Sequence, residues 1–170
     1  MTVQEQQQIF TQWLHQHKML IFKIVRAYAG TAMDQDDLFQ EITLQIWRSI
    51  PAFRQESAVT TWIYRIALNT SIRWVGKERK YHTINKTIEN VPEVLSPQNL
   101  PSDEQLNWLY AAIHQLDEID RSVALLLLDG FSYKEMAAIL GITISHVGVK
   151  INRIKKQLII QSKKFIENGI

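Results

Sequence analysis

The apolar residues between residues 34 and 51 follow the pattern of an amphipathic helix. An aliphatic side chain returns every fourth residue, which places a single apolar stripe on one face. The stripe contains Leu38, Ile42, Ile46 and Ile50, with Trp47 beside it. Acidic residues from Asp34 to Asp37 lie where the helix dipole favours them, and Pro51 is expected to end the helix because the residue before a proline avoids helical geometry.

Two further stretches of the N-terminal half show the same helical spacing. Residues 9–29 are expected to form one helix or two. Another helix is predicted from about Val59 to Lys80, with Trp62, Ile63 and Ile66 on its buried face. Its C-terminal end carries Arg73, Lys77, Arg79 and Lys80. The short polar loop before it contains Phe53, Arg54, Gln55, Glu56 and Ser57.

Residues 82–102 have a different character, with three prolines and little periodicity. They predict a flexible linker between two small helical domains at residues 1–81 and 103–170. Ser102 is expected to be the N-cap of a new helix, with Asp103 in its first turn. Helical spacing then continues to about Phe165, so the sequence predicts an all-α fold.

A helix-turn-helix is predicted within the C-terminal domain. A helix from Tyr133 to Leu140 is followed by a short turn that starts with Gly141, and a second helix follows from Ile144. Glycine readily adopts the left-handed conformation that ends a helix. Val147 and Ile151 would pack the second helix against the first. The predicted outward face contains Ser145, His146, Val149, Lys150 and Arg153.

This outward face has the chemistry of a DNA-reading surface. A recognition helix places its N-terminal residues against base edges in the major groove. Ser145, His146 and Lys150 can exchange hydrogen bonds there, and Val149 can touch a thymine methyl group. The phosphate-neutralising cations would be Lys150, Arg153, Lys155 and Lys156. Binding through such cations is sensitive to salt.

The distribution of charge supports two polyanion-binding sites. Residues 51–81 hold six basic and two acidic side chains, and residues 131–170 hold seven basic and two acidic. Residues 82–130 between them hold eight acidic and two basic side chains. Two basic blocks separated by an acidic one favour nucleic acid as a partner of each block.

Several classes of function find no support in the chain. It contains no cysteine, which excludes disulfide scaffolds, thiolate zinc sites and cysteine nucleophiles. His15 and His17 point to different helical faces, and there is no glycine-rich phosphate loop. We therefore expect neither an enzyme nor a metal, a cofactor or a small-molecule substrate. The longest apolar run is too short to span a membrane and the polar N-terminus lacks a secretory signal, so a cytoplasmic protein is expected.

Two segments resemble the sigma-70 family of RNA polymerase sigma factors. Residues 131–158, FSYKEMAAILGITISHVGVKINRIKKQL, are similar to the family's C-terminal domain, which reads the upstream promoter element. Residues 34–74 resemble its most characteristic domain. The marks there are Asp37-Leu38, Gln40-Glu41, Trp47, Phe53, Asn69 and the run TWIYRIA at 61–67. The shortness of the predicted linker points to the extracytoplasmic-function group.

The resemblance implies a role for each group of residues. Asp37, Gln40 and Glu41 would bind the clamp of core RNA polymerase. The loop residues Arg54, Gln55, Glu56 and Ser57 would capture a flipped base of the downstream element. The strand and its phosphates would be followed by Asn69, Arg73, Lys77, Arg79 and Lys80. The family often carries a basic residue at Gly148 and arginine at Lys150, so bidentate guanine reading is not expected at Lys150.

The resemblance also names the partners: core RNA polymerase, promoter DNA and, as a hypothesis, an anti-sigma factor. Two alternatives compete with it. A stand-alone helix-turn-helix regulator needs only residues 103–160 and leaves the pattern of residues 34–74 unexplained. A sigma-like decoy that binds an anti-sigma factor should have lost its DNA-contacting cations, yet both basic blocks retain theirs.

Overall fold

The computed structural model describes residues 1–84 and 103–167, and every regular element within those ranges is a helix. In chain order the helices are α1 (Val3–Tyr28), α2 (Ala32–Ser49), α3 (Val59–Ile84), α4 (Glu104–His114), α5 (Glu118–Leu128), α6 (Tyr133–Leu140) and α7 (Ile144–Glu167), with a 3-10 turn at Ile50–Ala52. The chain divides into two compact units, Met1–Leu100 and Pro101–Ile170. The predicted all-α fold with two small helical domains is confirmed.

The N-terminal unit is a bundle in which α1, α2 and α3 each pack against the other two. The stripe predicted on α2 lies in its core, since Leu38, Ile42 and Ile46 are buried together with Ile24 of α1 and Ile63 of α3. Each side chain of this size contributes roughly 1.5–3 kcal/mol when it leaves water. The spacing of these residues therefore decides which face of α2 turns inward.

Local hydrogen bonds decide where the first two helices begin. α1 is one continuous helix, and it starts at Val3 because Thr2 and Glu5 form a capping box. The N–H of Thr2 donates to the Glu5 carboxylate at 2.7 Å. α2 starts before Asp34, because the Thr31 hydroxyl accepts a hydrogen bond from the N–H of Asp34 at 3.0 Å.

Two boundaries near the predicted linker differ from expectation. α3 continues to Ile84 rather than ending near Lys80, since no proline or glycine interrupts it there. α4 is capped by Asp103, whose carboxylate accepts from the N–H groups of Gln105 and Leu106 at 3.1 and 3.2 Å. The expected cap, Ser102, and the linker residues 85–102 lie outside the described residues.

In the C-terminal unit, α5 contacts α4, α6 and α7, and the helix-turn-helix consists of α6 and α7. α6 begins with a capping box formed by Ser132 and Glu135. It ends as predicted, because Gly141 has a φ of 69° and is left-handed. Val147 and Ile151 are buried and α7 packs against α6, so the predicted packing of the second helix against the first is confirmed.

Candidate functional site

The exposed face of α7 carries most of the residues predicted to read DNA. Ser145, His146 and Val149 are exposed, and Val149 retains 66% of its accessible surface. Lys155 and Lys156 are exposed one to two turns further along the same helix. These five side chains keep the outward placement that the sequence predicts for them.

Lys150 does not lie on that face, and its predicted outward placement is wrong. The residue is 8% exposed, and its Nζ lies 2.7 Å from Oδ1 of Asp120, which is itself only 3% exposed. A buried ammonium requires a carboxylate partner because its desolvation is otherwise too costly. The long side chain of Lys150 therefore turns toward α5, where its ammonium is paired with the Asp120 carboxylate.

Arg153 joins the same group of charges from the next turn of α7. Its Nη2 binds Oδ2 of Asp120 and lies 3.5 Å from Oδ2 of Asp117. The hydrogen bond to Asp120, followed by the attraction of the Asp120 and Asp117 charges, raises the pKa of Arg153 above its ordinary value. We name Asp117, Asp120, Lys150 and Arg153 the Asp120 ion network. The side chain of Arg153 nonetheless remains 57% exposed.

Sequence reasoning missed Asn152, which is exposed on α7. Ser145, Val149, Asn152 and Lys156 follow one another at the three- and four-residue spacing of one helical face. That spacing was the available signal, because a face containing Val149 must contain Asn152 rather than Lys150. Gly148 has room for a side chain, because a Cβ there would meet the Tyr133 ring at 3.8 Å, an ordinary contact distance.

The loop before α3 presents the residues predicted to capture the downstream element. Arg54, Gln55, Glu56 and Ser57 are all exposed. Gln55 has a φ of 59°, a left-handed conformation that is uncommon for a residue other than glycine and costs free energy. The described part of the chain provides no side-chain hydrogen bond or ion pair for these four residues, so their polar groups face solvent.

An aromatic cluster fixes both ends of this loop. Phe53 precedes the loop residues, and its ring lies 5.1 Å from that of Trp13 and 5.0 Å from that of Trp62. Trp13 and Trp62 meet edge to face with centroids 5.4 Å apart, an arrangement that aromatic rings favour. Trp62, predicted on the buried face of its helix, packs against these rings but is only half-buried.

A groove of about 680 Å³ runs between α2 and α3, and we name it the α2–α3 groove. The three predicted polymerase-binding residues, Asp37, Gln40 and Glu41, lie on its α2 side. Arg73 and Lys77, which were assigned to DNA, lie on its α3 side. The structure thus brings together two residue sets that the sequence assigned to different partners, with acid on one wall and base on the other.

The floor of the α2–α3 groove is largely aromatic and contains a buried hydroxyl. Phe10, Trp47 and Trp74 line the groove, and the ring of Phe10 meets that of Trp47 edge to face at 5.4 Å. Thr70 is 2% exposed, and its Oγ1 has no hydrogen-bond partner among the described residues. Asn69, Arg79 and Lys80 are exposed on α3 but do not line the groove.

Two other features, a metal-binding cluster and a membrane-spanning helix, are absent from the described residues. No group of three or more histidine, aspartate or glutamate side chains lies close enough together to hold a metal ion within residues 1–84 and 103–167. None of the described helices combines the length and the apolar character needed to cross a membrane.

Each of the two units matches a different family model. The model of sigma-70 region 2 matches residues 13–81, and the model of sigma-70 region 4 matches residues 106–158. The ECF RNA polymerase sigma-E factor of Escherichia coli strain K12 is 30% identical over 156 residues, which cover 85% of this chain and 80% of that protein.

Two solved structures share the fold at 20% sequence identity. One is the sigma factor RpoE in complex with the anti-sigma factor NepR from Bartonella quintana, with a TM-score of 0.75 over 91% of this chain and 96% of that chain. The other is CnrH in complex with the cytosolic domain of CnrY, with a TM-score of 0.64 over 96% of this chain and 91% of that chain. The region models and the curated relative together show that this chain belongs to the sigma-70 family, in its extracytoplasmic-function (ECF) group.

Proposed function

We propose that this chain binds core RNA polymerase and directs it to promoters by reading an upstream and a downstream element. The observation that carries the proposal is the presence of both sigma regions, in the family's order, each with exposed polar and basic residues. The chain supplies recognition and strand capture, and the polymerase supplies the chemistry. Its place of action is then the cytoplasm, where the polymerase works.

The upstream element is read by α7 in this proposal. Ser145, Val149 and Asn152 would face base edges, with Val149 suited to a thymine methyl group and Asn152 to adenine. His146, Lys155 and Lys156 are exposed nearby, and the two lysines would bind phosphates. Arg153 would contribute the part of its guanidinium that the Asp120 ion network leaves unused. Lys150 is left out of this assignment because Asp120 binds its ammonium.

The downstream element is captured by the loop before α3. Arg54, Gln55, Glu56 and Ser57 have solvated polar groups, so binding a flipped base would not require them to break contacts within the described residues. The aromatic cluster below the loop limits the loss of entropy on binding, because it already fixes Phe53 and the start of α3. Asn69, Arg73, Lys77, Arg79 and Lys80 would follow the strand along α3.

Core polymerase is proposed to bind the α2 side of the α2–α3 groove, which leaves Arg73 and Lys77 on the α3 side for DNA. The acidic wall, Asp37 and Glu41, suits a basic partner, and the aromatic floor offers apolar area beside it. Gln45 donates a hydrogen bond to Glu41 at 3.0 Å, which orients that carboxylate before binding. An anti-sigma factor is a further proposed partner, since the sigma factor RpoE, which shares the fold, was solved in complex with the anti-sigma factor NepR.

Run-off transcription tests the proposal. Core RNA polymerase from the source organism is incubated with a pool of that organism's upstream regions, with and without the chain. We expect transcripts that start at defined sites only when the chain is present, and alignment of their upstream sequences should yield two elements. Duplex binding without new start sites would instead indicate a stand-alone regulator. Absence of both duplex and polymerase binding would indicate a decoy.

A further inference from the structure

The Asp120 ion network lies directly behind the residues proposed to read the upstream element. Lys150 and Arg153 are about one helical turn apart on α7, and each directly follows an exposed residue, Val149 and Asn152 respectively. Both cations bind the same carboxylate, Lys150 through Oδ1 and Arg153 through Oδ2. A single residue of α5 is therefore bound to α7 at two successive turns.

Directional contacts determine the rotation of α7 about its axis more closely than apolar packing does. Val147, Ile151 and Ile154 pack α7 against the unit, but burial of apolar area is non-directional and is compatible with small rotations of a helix. Charge-assisted hydrogen bonds from a buried carboxylate have narrow distance and angle requirements. Two such bonds, one turn apart, fix the rotation of α7 about its own axis and thereby the direction of Val149 and Asn152.

The network also orients Arg153 itself. Its contacts with Asp117 and Asp120 use Nη2. The other two guanidinium nitrogens have no partner among the described residues, and the side chain is more than half exposed. A guanidinium has five N–H donors in a planar group, so one edge can bind the network while another faces DNA.

We propose that Asp120 is a positioning residue for recognition of the upstream element. Its carboxylate binds Lys150 and Arg153 so that α7 presents Val149, Asn152 and the outer edge of Arg153 in one fixed orientation. This inference rests on the proposed function, because it assumes that α7 reads DNA. Asp120 itself does not contact DNA, since it is buried.

The test replaces the buried pair without leaving a lone charge in the core. Apolar residues of similar size often replace a buried ion pair without loss of stability, so the full chain with Asp120→Leu and Lys150→Met should remain folded. Its holoenzyme is then offered two templates in one reaction. One carries the upstream element recovered from run-off start sites, and the other carries the same sequence with that element scrambled.

We expect the preference for the intact element to fall roughly tenfold in the double variant, since misdirected base contacts lose much of their discrimination. Transcription from the scrambled template should stay within about twofold, because Lys155 and Lys156 still bind phosphates. The matched control is Ile154→Val, which loosens the packing of α7 but keeps the network. It should retain the wild-type preference.

Three outcomes overturn the inference. A folded double variant with the wild-type preference would overturn it alone, and so would an Ile154→Val variant that loses as much preference as the double variant. A wild-type holoenzyme that does not distinguish the two templates would instead overturn the proposed reading of the upstream element, and this inference with it.

Discussion

The two units hold their candidate binding residues in opposite ways. In the N-terminal unit, the loop with Arg54 and Gln55 is supported by a cluster of aromatic rings, and its polar groups face solvent. In the C-terminal unit, Lys150 of α7 and Asp120 of α5 form a buried ion pair behind the exposed face of α7. The first unit separates scaffold from binding residues, whereas the second uses charged residues as scaffold.

Because of this difference, the exposure of a charged side chain can be predicted from the sequence in the first unit but not in the second. An exposed polar loop between two helices is solvated whatever surrounds it, so its charges are available for a partner. A cation on an amphipathic helix can face solvent or a buried carboxylate, and the choice depends on what lies opposite. Lys150 and Lys155 are the same residue type on one helix, yet one is buried and the other exposed.

The largest expected effect comes from breaking the buried charge pair on one side only. Asp120→Asn removes the carboxylate and leaves the Lys150 ammonium buried without its counter-charge. We expect a loss of about 3–5 kcal/mol in the free energy of unfolding of the C-terminal unit, measured by denaturant titration. Asp120→Leu with Lys150→Met is the control and should recover most of the loss. Equal stability of Asp120→Asn and wild type would contradict the network's place in the core.

The corresponding change in the N-terminal unit is Trp62→Ala, which removes one ring of the aromatic cluster. Trp62 is half-buried, so we expect a smaller loss of about 2 kcal/mol in that unit. Trp62→Phe should retain most of the stability. The Trp62→Ala holoenzyme should also form less open complex than wild type, because the loop that follows Phe53 is no longer held in place. A variant with wild-type stability would show that the cluster is not the support of the loop.

Capping boxes occur in both units and allow a direct comparison. Ser132→Ala should destabilise the C-terminal unit by about 1 kcal/mol, since α6 is short and depends on its cap. Thr2→Ala, the matched change in α1, should cost less, because the exposed first turn of a 26-residue helix can fray without disturbing its packing. Thermal unfolding of the two variants gives the comparison, and a larger effect of Thr2→Ala would contradict it.

The cap of α6 should also depend on pH. Hydrogen bonds from the backbone and side chain of Ser132 lower the pKa of Glu135 below its ordinary value of 4.5. The ionised carboxylate therefore contributes stability that is present above pH 4.5 and is lost as the pH falls through the lowered pKa. The difference between wild type and Glu135→Gln should accordingly close at acid pH. A difference that stays constant from neutral pH down to below that pKa would contradict this assignment.

The smallest expected effect separates the two lysines of α7. Lys155→Ala should reduce the slope of log affinity against log salt for duplex DNA by about one, because one phosphate contact is lost. The double variant Asp120→Leu with Lys150→Met should not reduce that slope, since the Lys150 ammonium binds Asp120 rather than DNA. A reduced slope for this double variant, measured with the full chain on the same duplex, would restore Lys150 to the DNA-binding face.

The sequence by itself determined the fold class, most helix boundaries and the helix-turn-helix. These features depend on information that lies close together in the chain, such as the apolar spacing of α2 and the glycine at position 141. It also determined the outward placement of Ser145 and Val149. The boundaries that it missed include the start of α1 at Val3 and the end of α3 at Ile84. Those at Thr31 and Asp103 are choices among neighbouring residues, which compete with nearly equal free energies.

Only the tertiary structure decided how residues distant in the chain share one site. Asp120 and Lys150 are separated by 30 residues, so no local pattern indicates that they meet. The same is true of the α2–α3 groove, where Asp37 and Arg73 line one surface. The physical reason is that the free energy of a charged side chain depends on what surrounds it, and helix packing, rather than local spacing, creates those surroundings.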